Sequence, residues 1–427
     1  MPIMDAFKVR GGRPLSGQVT ISGSKNAALP LLAACLMAEG PTRLSGVPEL
    51  SDIRSMLRLL AELGCETSRD GDVLTANVTD DTKVEAGYDI VKTMRASVCV
   101  IGPMLAARGR VVFSIPGGCA IGDRPIDLHL RGLGKLGAEF RQEGGNIIGT
   151  APGGRLKGST MYLGGAQGPT VLGTINVLSA ATLAEGRTHI VGAACEPEVV
   201  DVADLLRKMG AKIEGDGGPE IVVEGVGSLV GTEHRVIPDR IEAGTFLMAG
   251  AITGGDVTLA NSDLRHLRAA ADRLGDAGVV LSEEDGRATV HGSRSKVTHT
   301  EVATQPYPGF PTDLQAQLMA LLCVGDGMSV ITERIFPDRF LHVGELNRMG
   351  ARIRKEGPSC FLSGGDLTAA RVMCSDLRAS AALVLAACAA DGESHIDRVY
   401  HIDRGYESIE DKLTGLGAEI ERVKTRA

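Results

Sequence analysis

A chain of 427 residues exceeds what one hydrophobic core usually serves, so two domains are expected. With 43% hydrophobic and 23% charged residues the composition is globular and excludes disorder, and a net charge of −8 argues against a nucleic-acid surface while leaving arginines free to converge on a small anion. No apolar run reaches the roughly eighteen residues of a membrane span, the first residues lack a secretory pattern, and nine scattered cysteines without a Cys-x-x-Cys pair predict neither a zinc site nor a disulfide framework, so a reducing cytoplasm is expected.

Along the chain, Gly23-Ser24-Lys25-Asn26 precedes a helix from Ala27 to Met37 that is apolar nearly all round and therefore predicted to be buried. An amphipathic helix follows, with Ile53, Met56, Leu57 and Leu60 on one face, Ser51 or Asp52 as its N-cap and Gly64 as a left-handed C-cap. Arg95 opens the next apolar helix, from Ala96 to Ala107, and the strand Arg110-Val111-Val112-Phe113 comes after it. Then Pro116-Gly117-Gly118-Cys119-Ala120-Ile121-Gly122-Asp123-Arg124-Pro125 reads as an exposed loop, because its glycines and prolines suit neither helix nor central strand. Arg124 beside Cys119 favours the thiolate and suggests chemistry on an anion; a glycine-rich turn with an idle thiol fits the same residues. Gly132-Leu133-Gly134-Lys135-Leu136-Gly137 matches the dinucleotide fingerprint in spacing, but Ile126 to Leu130 has helical spacing where a strand is required, so no Rossmann site is expected.

Further apolar helices are predicted from Thr174 to Glu185, Ala243 to Ile252, Leu314 to Val324 and Ala379 to Ala390, and Pro197 suits the first turn of an amphipathic helix carrying Val199, Val202, Ala203 and Leu206. Six helices end on a glycine followed by a small or β-branched residue, at Gly64, Gly137, Gly210, Gly278, Gly350 and Gly417, with intervals of 73, 73, 68, 72 and 67 residues. This sixfold repeat predicts units of β-α-β-α-β-β, each with one buried helix and a hairpin after its glycine, three units to a domain.

Lys25, Arg95 and Arg378 stand at the starts of buried helices, where a cation opposes the helix dipole. One such residue reads as a solvated surface cation; three at equivalent places favour a converging anion site. Asp313, after Pro308 and Pro311, is either a helix cap or a base presented by a rigid turn, and Arg339 and Arg404 lie in polar, aromatic-rich segments.

Seven segments resemble the enolpyruvyl transferases over essentially the whole chain: Gly23 to Ala27, Met94 to Ser97, Pro116 to Asp127, Pro238 to Glu242, Phe310 to Asp313, Asp376 to Ser380 and Tyr400 to Gly405. The resemblance implies a two-domain inside-out α/β barrel, with residues 23–237 as one three-repeat domain, 1–22 plus 238–427 as the other, and the active site in the cleft between them. It implies transfer of the enolpyruvyl group of phosphoenolpyruvate to the 3-hydroxyl of UDP-N-acetylglucosamine through a tetrahedral ketal, with no cofactor, metal, nucleic acid, membrane or obligate protein partner. By the same resemblance Cys119 is the acid at the methylene carbon, Asp313 meets the sugar hydroxyl, and Lys25, Arg124 and Arg404 cradle the phosphate. Arg339 and Arg378 surround the substrate carboxylate, and Asp376 belongs to the Arg378 motif. Asn26, Arg95, the stretch Arg124, Pro125, Ile126, Asp127 and Leu128, and the Ile335 backbone contact the nucleotide sugar. Where many members carry a lysine for the diphosphate this chain reads Gly168-Pro169-Thr170-Val171-Leu172-Gly173, which leaves Thr170, Val171 and the backbone for that contact. The shikimate-pathway synthase of the same fold is disfavoured because its glycine-asparagine-alanine-glycine-threonine signature is absent, and a nucleotide-sugar sensor is disfavoured because it needs no acid and base.

Overall fold

A computed structural model describes residues 3–114, 126–284 and 286–426. All six repeat glycines adopt positive φ, from 71° at Gly64 to 111° at Gly210. Side chains avoid that conformation, which is why glycine recurs there. Each repeat builds a four-stranded sheet in one order. In the second, Glu85–Ala86 pairs parallel with Arg110–Ser114, which pairs antiparallel with Asn146–Thr150, itself antiparallel to Glu139–Glu143.

Three sheets borrow strands from far away in sequence. The first repeat takes its parallel strand, Glu233–Arg235, from the end of the third. In the sixth, the hairpin expected after Gly417 is absent: Glu419–Arg426 pairs instead with the N-terminal strand Ile3–Gly11. Gly17–Thr20 then completes the fourth repeat by pairing parallel with Asp256–Ala260. Among the described residues the chain divides into two compact units, one of residues 23–114 and 126–237, the other of 3–22 and 238–426, each with its own core.

The apolar helices are buried on nearly every side. In the 238–426 unit, Arg240–Thr253, Gln315–Leu322 and Leu377–Ala389 pack on one another. In the 23–237 unit the corresponding helices are Lys25–Ala34, Ile101–Arg108 and Val171–Thr182. The second repeat starts with a 3-10 turn, Arg95–Val100, rather than an α-helix from Ala96. Pro103 has no N–H to give the carbonyl of Cys99, so the α-helix proper begins at Ile101 with Pro103 in its first turn. The dinucleotide-like glycines Gly132 and Gly134 lie inside the helix Asp127–Lys135. Cys35, Cys99 and Cys388 are buried, as their apolar runs predict.

Asn176 stitches the 23–237 core together. Its amide oxygen accepts from Gly102 N at 2.7 Å, and its nitrogen donates to Val98 O and His129 Nδ1, each at 2.9 Å. A Cβ on Gly102 would meet the Asn176 carbonyl oxygen at 2.2 Å, backbone against backbone. Gly102→Ala is therefore expected to lower stability by about 1–3 kcal/mol. Urea denaturation checks this; a midpoint equal to that of the parent protein would show that the crossing can open without penalty.

Candidate active site

Asp313 sits on a 3-10 turn, Thr312–Leu314, that leads into the buried helix of the fifth repeat. Pro311 holds the cap position, and no side chain caps the turn, so Asp313 is not a cap. Its carboxylate lies between two guanidinium groups: Oδ1 accepts from Arg339 Nη1 at 2.7 Å and Oδ2 from Arg378 Nε at 3.2 Å. Its backbone carbonyl accepts from Gln317 Nε2 at 3.0 Å, one helical turn on.

Arg378 is the second residue of Leu377–Ala389 and is only 1% exposed. Asp376 caps this helix, accepting from Arg378 N at 2.9 Å and Ala379 N at 3.1 Å, so its Oδ1 is engaged with the backbone. The Arg378 guanidinium lies 5.2 Å from the centre of the Tyr406 ring. Burial works against its charge, but Tyr406, Asp313 and Asp239 outweigh burial and hold it firmly as a cation. Nη1 and Nη2 are buried with no acceptor in hydrogen-bond geometry among the described residues. The Tyr406 hydroxyl is the neutral group that engages this guanidinium, which leaves donor capacity for a ligand with carboxylate or phosphate oxygens. Tyr406 is itself fixed, with its hydroxyl 2.8 Å from Thr245 Oγ1 and 3.0 Å from Gln317 Nε2.

Sequence reasoning missed the residue that ties this cluster together. Glu333 is wholly buried directly after the strand Met328–Thr332. Its Oε1 accepts from Thr304 Oγ1 at 2.6 Å, Ile335 N at 2.8 Å and Phe336 N at 3.0 Å, while Oε2 accepts from Thr312 Oγ1 at 2.9 Å. Thr312 Oγ1 in turn accepts from Arg339 Nη1 at 3.0 Å. The buried charge is thus compensated by four donors, and it holds the Ile335 loop, the Asp313 turn and Arg339 in one arrangement. Only an acid directly after an apolar strand hints at it in the sequence.

On the 23–237 unit, Lys25 is the first residue of its helix and is buried, not a solvated surface cation. Its Nζ lies 3.3 Å from Oδ2 of buried Asp52. The expected cap at Ser51 or Asp52 is therefore corrected: Leu50 takes the cap position without a side-chain bond, and Asp52 turns to Lys25 instead. Asn26 and Arg95 are half-buried, Arg95 opening its 3-10 turn. Ile126 and Leu128 are half-buried and Asp127 is exposed at the start of Asp127–Lys135. Thr170 caps Val171–Thr182, its Oγ1 accepting from Gly173 N at 3.2 Å. Cys119, Arg124 and Pro125 lie outside the described residues. Arg404 is on the 238–426 unit, half-buried at the end of the 3-10 turn Val399–Arg404. Burial and the Arg404 charge hold the neighbouring His401 below the ordinary histidine range.

The chain thus has two three-repeat α/β units, one of which presents a carboxylate between two guanidinium groups, an arrangement suited to small anions. The chain belongs to the EPSP synthase (3-phosphoshikimate 1-carboxyvinyltransferase) family, which it matches over residues 9–413. It is 51% identical to a UDP-N-acetylglucosamine 1-carboxyvinyltransferase of Anaeromyxobacter sp. (strain Fw109-5), over 99% of this chain and all of the relative. It is 50% identical to the same-named protein of Geobacter metallireducens, again over 99% and 100%. In fold it resembles the enolpyruvyl transferase NikO of Streptomyces tendae, with a TM-score of 0.90 at 24% identity over all of both chains. It also resembles an EPSP synthase of Acinetobacter baumannii, with a TM-score of 0.77 at 19% identity over 98% and 100%.

Beside the cluster, His342 is buried and its Nε2 has no hydrogen-bond partner among the described residues. Burial, assisted by Arg339 and opposed by Asp376, pushes its pKa down to about 4 from 6.5. The unfolded chain therefore binds the extra proton first as pH falls, so stability is full above about 6.5 and declines toward 4. Between pH 7.5 and 5 this residue is expected to remove about 2 kcal/mol. The comparison of urea midpoints at the two pH values for the parent and for His342→Asn tests it. An equal pH dependence in both proteins would count against a buried neutral imidazole.

Proposed function

We infer that the protein transfers the enolpyruvyl group of phosphoenolpyruvate to the 3-hydroxyl of UDP-N-acetylglucosamine and releases phosphate, the first committed step of peptidoglycan synthesis. The observation that carries this reading is the Asp313–Arg339–Arg378 cluster with the buried guanidinium of Arg378, in a chain about half identical to relatives of that name over its full length. The family takes its name from the shikimate enzyme, but the relatives at this identity carry the UDP-N-acetylglucosamine name, and the shikimate signature is absent from the sequence.

In the addition step the sugar hydroxyl oxygen bonds to C2 of phosphoenolpyruvate while a proton reaches C3, giving a tetrahedral ketal that still bears phosphate. In the elimination step C3 loses a proton, the C2–O bond to phosphate breaks, and an enol ether remains. Asp313 takes the hydroxyl proton; Cys119 gives the proton to C3. Arg378, with its Nη donors, and Arg339 bind the pyruvyl carboxylate. Lys25, Arg124 and Arg404 bind the phosphate, where charge grows as it leaves. Asn26 meets the sugar, while Arg95, residues 124–128 and the Ile335 backbone hold the nucleotide sugar. Thr170 and Val171 lie at a helix start suited to the diphosphate. No helix of the described residues is long and apolar enough to cross a membrane. The eight cysteines among them are unpaired, which suits action in the cytoplasm.

The direct test supplies UDP-N-acetylglucosamine and phosphoenolpyruvate and measures phosphate: stoichiometric release that requires both is expected, and none from the folded protein would overturn the reading. Arg404→Ala is expected to lower turnover about a hundred- to a thousandfold, with UDP-N-acetylglucosamine affinity by calorimetry near that of the parent. Loss of that affinity with intact turnover would remove Arg404 from the phosphate.

Cys119 is expected to be the thiol alkylated within minutes near neutral pH, and the target of the epoxide antibiotic fosfomycin. Burial pushes Cys99, Cys323, Cys360, Cys374 and Cys388 up to about 12, and it also raises half-buried Cys195. Mass mapping after brief treatment reads the site, and label distributed over these six would contradict the assignment.

A further inference from the structure

A second concentration of positive charge lies on the 23–237 unit, among residues that the reaction does not use. A concave pocket of about 290 Å³ is walled by Arg43, Ser45, Lys208, Glu233, His234 and Arg235. The parallel pairing of Glu233–Arg235 with Thr42–Ser45 sets Glu233 opposite Arg43 and Arg235 opposite Ser45. The one acid of the wall, Glu233, lies 3.3 Å from Arg43 and compensates it. Arg235 is exposed and has no carboxylate at ion-pair distance among the described residues; a Cβ on Gly46 would lie 3.9 Å from its Cγ and Cζ, so the side chain runs across that backbone. Lys208 likewise has no carboxylate at ion-pair distance among the described residues, so two cations of the wall lack a direct ion-pair partner in a protein whose net charge is −8.

Lys208 is held by an unusual partner. Its Nζ lies 3.1 Å from Nδ1 of His234. An ammonium has no lone pair, so Nδ1 accepts, and the imidazole carries its proton on Nε2. That Nε2 lies 2.8 Å from Oδ1 of buried Asp201, whose Oδ2 accepts from Ile237 N at 3.3 Å. Asp201 thus fixes the tautomer of His234, and His234 fixes the ammonium without neutralising it. A lysine tethered in this way has lost much of its rotamer freedom before any ligand arrives, which lowers the cost of binding one.

We propose that this pocket binds a dianionic phosphate group. Lys208 and Arg235 supply charge and directed donors, the Ser45 hydroxyl supplies another, and His234 keeps Lys208 in place. The volume lies at the lower edge of small-molecule sites, which suits inorganic phosphate or a small phosphate monoester better than a nucleotide sugar.

The test uses the full-length protein with ¹⁵N-labelled histidine, the His234 ring signals being assigned by their loss in His234→Gln. Potassium phosphate and a hexose phosphate are titrated separately against potassium chloride at matched ionic strength. Saturable movement of the His234 ring signals with either phosphate compound and not with chloride is expected. In Lys208→Gln/Arg235→Gln the affinity should fall at least tenfold while phosphate release from the two substrates stays within twofold of the parent. Saturation by inorganic phosphate identifies the free ion as a ligand, and saturation by the hexose phosphate alone identifies a monoester. Unmoved signals, movement equal to that with chloride, or unchanged affinity in the double variant would overturn the proposal. Because the readout is binding and not turnover, it fails or succeeds independently of the assigned reaction.

Discussion

Each repeat is organised around a helix with no polar face. Such a helix can exist only if every side of it is covered. Charged side chains are then confined to its ends, and the N-terminal end offers unpaired N–H groups. The six starts carry Lys25, Arg95, Thr170, Asp239, Asp313 and the pair Asp376 and Arg378. Except for Asp239 and the capping Asp376, each is a residue proposed to meet substrate. One packing constraint, repeated three times in each unit, therefore generates that unit's core and sets polar residues at its helix starts.

Charge at those starts follows a consistent logic. Arg378 and Lys25 oppose the dipole of their helices and are also buried, so each needs an anion close by. Lys25 receives Asp52 from the neighbouring amphipathic helix. Arg378 receives Asp313, but Asp313 also serves Arg339, so two guanidinium groups share one carboxylate. Asp239 adds to the stabilisation of Arg378, but Nη1 and Nη2 of Arg378 have no acceptor in hydrogen-bond geometry among the described residues. Glu333 reaches Arg339 only through Thr312, and its own oxygens are taken by four donors. A substrate that brings a carboxylate to this cluster would meet those donors.

The repeat was legible because glycine in the left-handed region leaves a mark that no other residue replaces, and all six marked positions adopt it. Buried helices were legible through composition, although their exact starts were not: the third begins at Val171, a turn before the expected Thr174, because Thr170 caps it. What stayed hidden depends on partners distant in sequence. Asp52 is as good a cap as a lysine partner until the fold brings Lys25 across 27 residues. Asp313 could cap or pair, and only the positions of Arg339 and Arg378 decide between them. Glu333 has no periodic pattern around it, since its four donors come from three separate segments. The missing hairpin of the sixth repeat was invisible because its replacement strand lies at the other end of the chain.

That replacement strand also explains how the chain changes units. After supplying strands to the sixth and fourth repeats, the N-terminal segment leaves at Ser22, and the chain returns at Pro238. On one side of the crossing, Ser22 O accepts from Asp239 N at 2.8 Å, and Ser22 N donates at 2.7 Å to Glu242, whose other oxygen meets Lys412 at 2.6 Å. Burial raises the pKa of Glu242, and Lys412 opposes that shift and favours the charged form. On the other side, Ser24 N donates to Ile237 O at 2.7 Å, while Ile237 N is held by Asp201. Gly23, between them, can have no side chain, because a Cβ there would lie 1.8 Å from the Gly46 carbonyl oxygen. The two crossing segments are thus anchored within each unit by that unit's own acid, and each runs within three residues into a buried helix, at Lys25 and at Arg240. The connection that carries the chain out of one three-repeat unit and back into it is the same one that fixes where two of the six polar helix starts must lie.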